Sequence, residues 1–296
     1  MRFVPFFAAL FALAAPVAAQ QPDGPAPGED VLVVGRAERE TKREATEFVR
    51  ALTSIPGSID PVARFDWAPL CPAAVGLADA QNAAITARMR RVATAARIPL
   101  ADAGCRPNAL VIVAADKNGM IDALRRKFPA YFLTDDKTMM DPGKQPGPAT
   151  AWHLRGRLDR SGTPVSSAPG ATVSSPITPS RLSSMIRPIF LAAVVVIERD
   201  AVVGLTTTQL ADYAAMRAYG GADPKRLGDT PTATILTVLD AAPSAQVPVT
   251  LTRWDIAFLR ALYAVDADDF GPRQRTAMRS RMADEVARSD AGSPEE

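Results

Sequence analysis

The sequence predicts an α+β fold in which a mixed sheet is packed with helices and stapled by one disulfide. Three observations carry this. Two continuous apolar, β-branched runs, at 108–114 (NALVIVA) and 191–197 (LAAVVVI), have the composition of buried strands. Several stretches carry apolar residues at the i, i+3, i+4, i+7 spacing of amphipathic helices. The chain holds two cysteines, Cys71 and Cys105, behind an N-terminus of export type.

Arg2, the apolar run 3–15 and Pro16-Val17-Ala18-Ala19 form a secretory signal, with cleavage expected between Ala19 and Gln20. The run is shorter than the roughly 20 residues a membrane-spanning helix needs. No cysteine follows the cleavage point, so a lipid anchor is not supported. The mature protein is expected in the periplasm or secreted, with no membrane span. In that oxidising setting an even cysteine count reads as a structural bridge. It closes a loop of about 34 residues, worth roughly 3–4 kcal/mol by chain entropy. A redox pair would normally sit as Cys-x-x-Cys, which is not the spacing here.

Residues 20–29 (QQPDGPAPGE) form a disordered lead-in. Val31 to Val34 reads as a short strand. A helix over 39–53 follows, with Ala45, Phe48, Val49 and Leu52 on one face. Residues 62–70 are irregular or a short strand and deliver Cys71. A long helix over 78–97 stacks Ile85, Met89, Val92 and Ala96, while Arg88, Arg90 and Arg91 read as a solvated face, with an anion site as the alternative. The strand at 108–114 leads to a helix capped by Asp116 or Asn118 and ending at Phe128, with Ile121, Leu124 and Phe128 inward. A strand is expected over 151–159, and a flexible loop or hairpin tip over 160–180. These elements divide the chain into an N-terminal α/β part (30–157), a linker (158–180) and a C-terminal part (181–289), with a frayed tail over 290–296.

The C-terminal part is organised around the strand ending near Arg199 and the helix after it. Thr206-x-x-Gln209 has the form of a capping box. Leu210, Tyr213, Ala214 and Arg217 share one face, and Gly220-Gly221 supplies a left-handed stop. Residues 232–239 (TATILTVL) are ambiguous between strand and helix. Thr252 caps a helix through Tyr263 that buries Trp254, Phe258, Ala261 and Leu262. A last helix over 272–288 has Met278, Met282 and Val286 as its stripe.

Composition excludes several chemistries. The formal charge of +2 falls to about +1 without Arg2, too little for a dedicated nucleic-acid binder. The chain has one histidine, His153, so zinc sites that need two or three imidazoles are excluded, and Ser-His-Asp catalysis would hang on that residue alone. There is no Gly-x-Ser-x-Gly elbow and no phosphate-cradling Gly-x-x-x-x-Gly-Lys loop. Asp135-Asp136 and Asp266, Asp268, Asp269 are the acidic clusters. The second has oxygen donors suited to calcium, but it lacks the glycine and distal glutamate of an EF-hand and reads as a helix-end surface.

Leu251-Thr252-Arg253-Trp254-Asp255, followed by Leu259 and Leu262-Tyr263, and the short piece Thr234-Ile235-Leu236 resemble the C-terminal region of an uncharacterised exported family of alphaproteobacteria with a zincin-like scaffold. In that pattern an apolar strand precedes a helix bearing His-Glu-Leu or Glu-Glu-Leu. Placing Leu210 on the motif leucine puts Thr208 and Gln209 at the His and Glu positions and Asp212 at the second ligand position. A hydroxyl, an amide and one carboxylate cannot hold tetrahedral zinc, so the resemblance implies a degenerate zincin-like strand-helix centre without metal. The expected function is a non-catalytic binding or interaction protein, with a periplasmic or cell-envelope partner, no nucleic acid and no cofactor. Its recognition surface is expected along Thr207, Thr208, Gln209, Asp212 and Tyr213. The alternative is a hydrolase acting through carboxylates or a lone His153 dyad.

Overall fold

The computed structural model describes residues 29–53, 58–133, 139–165, 183–228, 232–242 and 245–291. The expected signal peptide, the lead-in before Glu29, Asp135-Asp136, residues 166–180 and the tail after Ala291 lie outside them. Residues 38–296 make up one unit and residues 1–37 another. Six helices are described, Glu29–Thr53 (α1), Asp79–Ala95 (α2), Lys117–Lys127 (α3), Thr207–Gly220 (α4), Arg253–Ala264 (α5) and Gly271–Ala291 (α6). Four strands, Pro72–Val75 (β1), Ala109–Ala114 (β2), Ala149–Asp159 (β3) and Ile186–Glu198 (β4), form one mixed sheet in the order β1-β2-β4-β3. β1, β2 and β4 are parallel, and β3 runs antiparallel to β4 at the edge. The fold is α+β with one disulfide, Cys71–Cys105, whose Cα atoms are 6.1 Å apart. Among the described residues no helix is long and apolar enough to cross a membrane.

β4 is central because both its faces are apolar. Ala193, Val195 and Ile197 enter the larger core, which also takes in buried residues of α1, α2, α4, α5 and α6, whereas Val194 and Val196 enter a smaller core with Ile121 of α3, Phe132 and Trp152. β2 does the same, with Val111 and Val113 on one side and Ile112 and Ala114 on the other. The parts predicted over 30–157 and 181–289 therefore share a single sheet, since β4 lies between β2 and β3.

Two element assignments are corrected. Val31 to Val34 belongs to α1 and is helical. Helix propagates from the strong helix-forming segment that follows, because adding residues to an existing helix costs far less than nucleating one. β1 was not anticipated, since its sequence, PAAV, carries little β-propensity; it forms by parallel pairing with β2 just after Cys71. Phe128, expected to face inward, is 45% exposed. The ambiguous segment near 235 is a 3₁₀ turn, Ile235–Thr237.

The two pieces that carried the resemblance bond to each other. The buried carboxylate of Asp255 accepts hydrogen bonds from the Thr234 hydroxyl, the Ile235 N–H (2.9 Å), and the Thr252 N–H and hydroxyl (both 2.9 Å). Burial raises its pKa, and these four donors oppose that rise. At the other end of α5, buried Arg64 donates to the carbonyls of Leu262 (2.7 Å) and Val265 (3.0 Å), satisfying groups the helix leaves unpaired. The Tyr263 hydroxyl donates to Tyr219 O (3.0 Å), and that of Tyr219 to Met89 O (3.1 Å), which ties α5, α4 and α2 together.

Candidate functional site

α4 is sealed along nearly its whole length: every residue from Gln209 to Gly220 is buried. Its N-terminus forms as the sequence predicts. The Thr206 hydroxyl accepts from the Gln209 N–H (3.1 Å), and the Gln209 side chain accepts from the Thr206 N–H (3.1 Å) and donates to Pro248 O (3.0 Å).

Asp212, at the position where the resemblance places a second metal ligand, is 0% exposed and fully engaged. Arg88 donates to it bidentately, Nε to Oδ1 at 2.7 Å and Nη2 to Oδ2 at 2.9 Å. The Thr250 hydroxyl (2.8 Å) and the Leu251 N–H (2.9 Å) complete its shell. Arg88 is thus a clamp between α2 and α4, and reading it as part of a solvated face is corrected. Tyr213 is 1% exposed and accepts a hydrogen bond from Arg217 Nη1 (2.6 Å). Thr207 and Thr208 are half-buried and make no side-chain hydrogen bond among the described residues. The five predicted residues therefore do not line an open groove, because Gln209 caps, Asp212 clamps and Tyr213 is internal. The acidic run at 266–269 is a surface of paired charges, with Asp268 bound to Arg187 (2.8 Å) and Asp269 to Arg273 (3.4 Å). Among the described residues no group of three His, Cys, Asp or Glu is placed to hold a metal ion.

The opposite end of α4 is open. There β3, the C-terminus of α4 and the chain after it enclose a cleft of about 340 Å³ lined by His153, Arg155, Arg217, Gly221, Ala222 and Asp223. A bulge in the sheet builds one wall. Leu154 pairs with Ala192 but Arg155 pairs with Phe190, so Leu191 is an extra residue in β4. The bulge shifts the side-chain alternation and turns Phe190 onto the same face as Ala193. His153 stacks on Phe190 with ring centroids 4.0 Å apart. Gly221 holds a left-handed φ of 59° over them, where a Cβ would meet Phe190 at 3.1 Å and His153 at 3.7 Å. Glycine is needed here both for the turn and for the close approach.

His153 Nε2 lies 2.9 Å from Ala218 O, and because a carbonyl only accepts, Nε2 carries the proton. Burial lowers the histidine pKa to about 4, the Ala218 carbonyl opposes this, and the positive charges of Arg155 and Arg217 lower it further. The ring is neutral at pH 7, and among the described residues no serine or carboxylate is hydrogen-bonded to it. Arg217 is 4% exposed, sits over the Tyr213 ring at 5.6 Å, and its Nε has no hydrogen-bond partner. Arg155 lies over the Phe190 ring at 5.9 Å.

This cleft was missed in the sequence, although one signal was available: Arg217 falls on the inward stripe of its helix, where a cation is out of place. No protein-family model matches the chain, and neither a curated protein nor a solved structure matches it.

Proposed function

We propose that the chain is an exported, periplasmic binding protein on a metal-free zincin-like scaffold, and that it binds its ligand in the cleft at the C-terminal end of α4 without transforming it. One observation carries this reading: a concave site of small-molecule size has in its wall a buried arginine whose Nε has no hydrogen-bond partner, beside a histidine whose Nε2 proton is held by Ala218 O. The fixed tautomer supports binding over catalysis. The Nε2 proton is committed to Ala218 O, and a base with a pKa near 4 is poorly matched to proton transfer at neutral pH. The zincin-like ancestry rests on the motif pieces around Thr234 and Asp255, and export rests on the signal at 1–19.

Native mass spectrometry and metal analysis of the protein purified from periplasm test the proposal. We expect a co-purifying small molecule that Arg217→Met releases, and no stoichiometric zinc. Zinc whose removal by EDTA lowers the melting temperature would overturn the reading. So would hydrolytic turnover abolished by His153→Ala, which would favour the hydrolase alternative.

A further inference from the structure

The buried cations of this protein are treated unequally. Arg64 is satisfied by the carbonyls of Leu262 and Val265, and Lys117 by those of Gln145 (3.1 Å) and Gly147 (2.7 Å). Arg88, less deeply buried, has a bidentate carboxylate. Arg217 has one neutral hydroxyl and an aromatic face, with no ion-pair partner among the described residues. A guanidinium taken out of water without an anion is strongly unfavourable, and most of that cost persists until an anion occupies the space beside it.

A second cavity of about 410 Å³ adjoins the first. It shares Arg155 and Gly221 with it and adds Arg226 and Arg275, together with Arg157, which is already partnered, against one carboxylate among the described residues, Asp60. Among the described residues the two together present five arginines, Arg157 already partnered, and two aspartates, Asp60 and Asp223, with neutral His153 in the wall of the first. The Asp223 carboxylate is partly occupied as the acceptor of the Lys225 N–H (3.2 Å). Both cavities are sized for metabolites, and the aromatic ring at their junction, Phe190, is covered by His153, so a stacked nucleobase has no platform.

We infer that the joined cavities bind a small organic anion with two oxyanion groups, carboxylate or phosphate, one held by Arg217 and Arg155 and the other by the arginines of the second cavity. Planar guanidinium forks suit both oxyanions, and Arg155 at the junction can serve either group. This inference deepens the proposed binding function and rests on it.

The test is titration calorimetry and thermal shift on the mature protein at low chloride near neutral pH. Inorganic phosphate, succinate and neutral 1,4-butanediol are the probes. We expect at least one anion to bind and raise the melting temperature while the diol does neither. Binding by phosphate alone assigns a phosphorylated ligand, by succinate alone a dicarboxylate, and by both the shared oxyanion chemistry. Arg217→Met and Arg155→Gln should each weaken binding about tenfold or more. Arg155→Gln alters an exposed residue, so it reads the site even if Arg217→Met perturbs folding. The inference is overturned if neither anion binds at about 10 mM, a concentration where even weak sites fill. It is overturned equally if both variants bind as the parent does. A co-purified neutral ligand would also overturn it while leaving the binding-protein reading intact, whereas turnover dependent on His153 would overturn that reading itself.

Discussion

Asp212 and Arg217 lie five residues apart on the same buried helix and have opposite fates. The aspartate receives the two nitrogens of Arg88, the Thr250 hydroxyl and the Leu251 N–H, so its charge is spent holding α2, α4 and the 250–251 loop together. The arginine receives a single phenol. Buried charge is therefore not in itself a mark of function. A fully satisfied charge reports architecture, and an unsatisfied one facing a cavity is a candidate binding group. The half of α4 that the resemblance singles out is the architectural half.

The largest test of this contrast is Asp212→Ala. Removing one member of a buried, bidentate pair leaves Arg88 uncompensated and should cost about 3–5 kcal/mol in urea unfolding. A loss below about 1 kcal/mol, the size of a surface pair, would mean that the clamp is not structural. Next in size is the Cys71–Cys105 bridge, which lines neither cavity. Its reduction should cost about 3–4 kcal/mol while leaving the affinity of the cleft unchanged for the folded protein. A cleft that fails on reduction without unfolding would break the separation between staple and site.

His153 makes the contrast depend on pH. Its folded pKa, about 4, lies below the ordinary 6.5, so between these values the unfolded chain binds more protons than the folded one. Stability from this residue is complete above pH 6.5 and is lost as pH falls toward 4, by about 2–3 kcal/mol. Asp255 acts in the opposite sense: its raised pKa means that its contribution declines as pH rises above the usual carboxylate value. The measurement is therefore the difference between the parent and His153→Gln, in which the Asp255 term cancels. We expect His153→Gln to flatten the acid slope between pH 6.5 and 4, and identical slopes would contradict the neutral assignment.

Much of the scaffold was legible because its signals are local. Continuous runs gave β2 and β4, the Thr206–Gln209 box and the Thr252 cap located α4 and α5, and the cysteine pair gave the disulfide. What was illegible depends on long-range pairing. β1 exists because β2 offers it an edge. The Leu191 bulge is visible only in the register with β3. Arg88 finds its carboxylate 124 residues away, which no helical wheel of α2 records. The start of α4 is illegible for the same reason, since Gln209 and Asp212 are engaged by Pro248, Thr250, Leu251 and Arg88, all distant in sequence.

The smallest effects separate Thr206, Thr207 and Thr208, neighbours with similar chemistry at the start of α4. The Thr206 hydroxyl accepts from the Gln209 N–H, a group the helix cannot satisfy internally, so Thr206→Ala should cost about 1 kcal/mol in thermal unfolding. Thr207 and Thr208 make no such bond among the described residues, and their alanine variants should stay within about 0.5 kcal/mol of the parent. None of the three should alter anion affinity, because the cleft lies at the other end of the helix. A change in binding with Thr208→Ala that exceeds its change in stability would return the recognition surface to the N-terminal half and reverse the division drawn between Asp212 and Arg217.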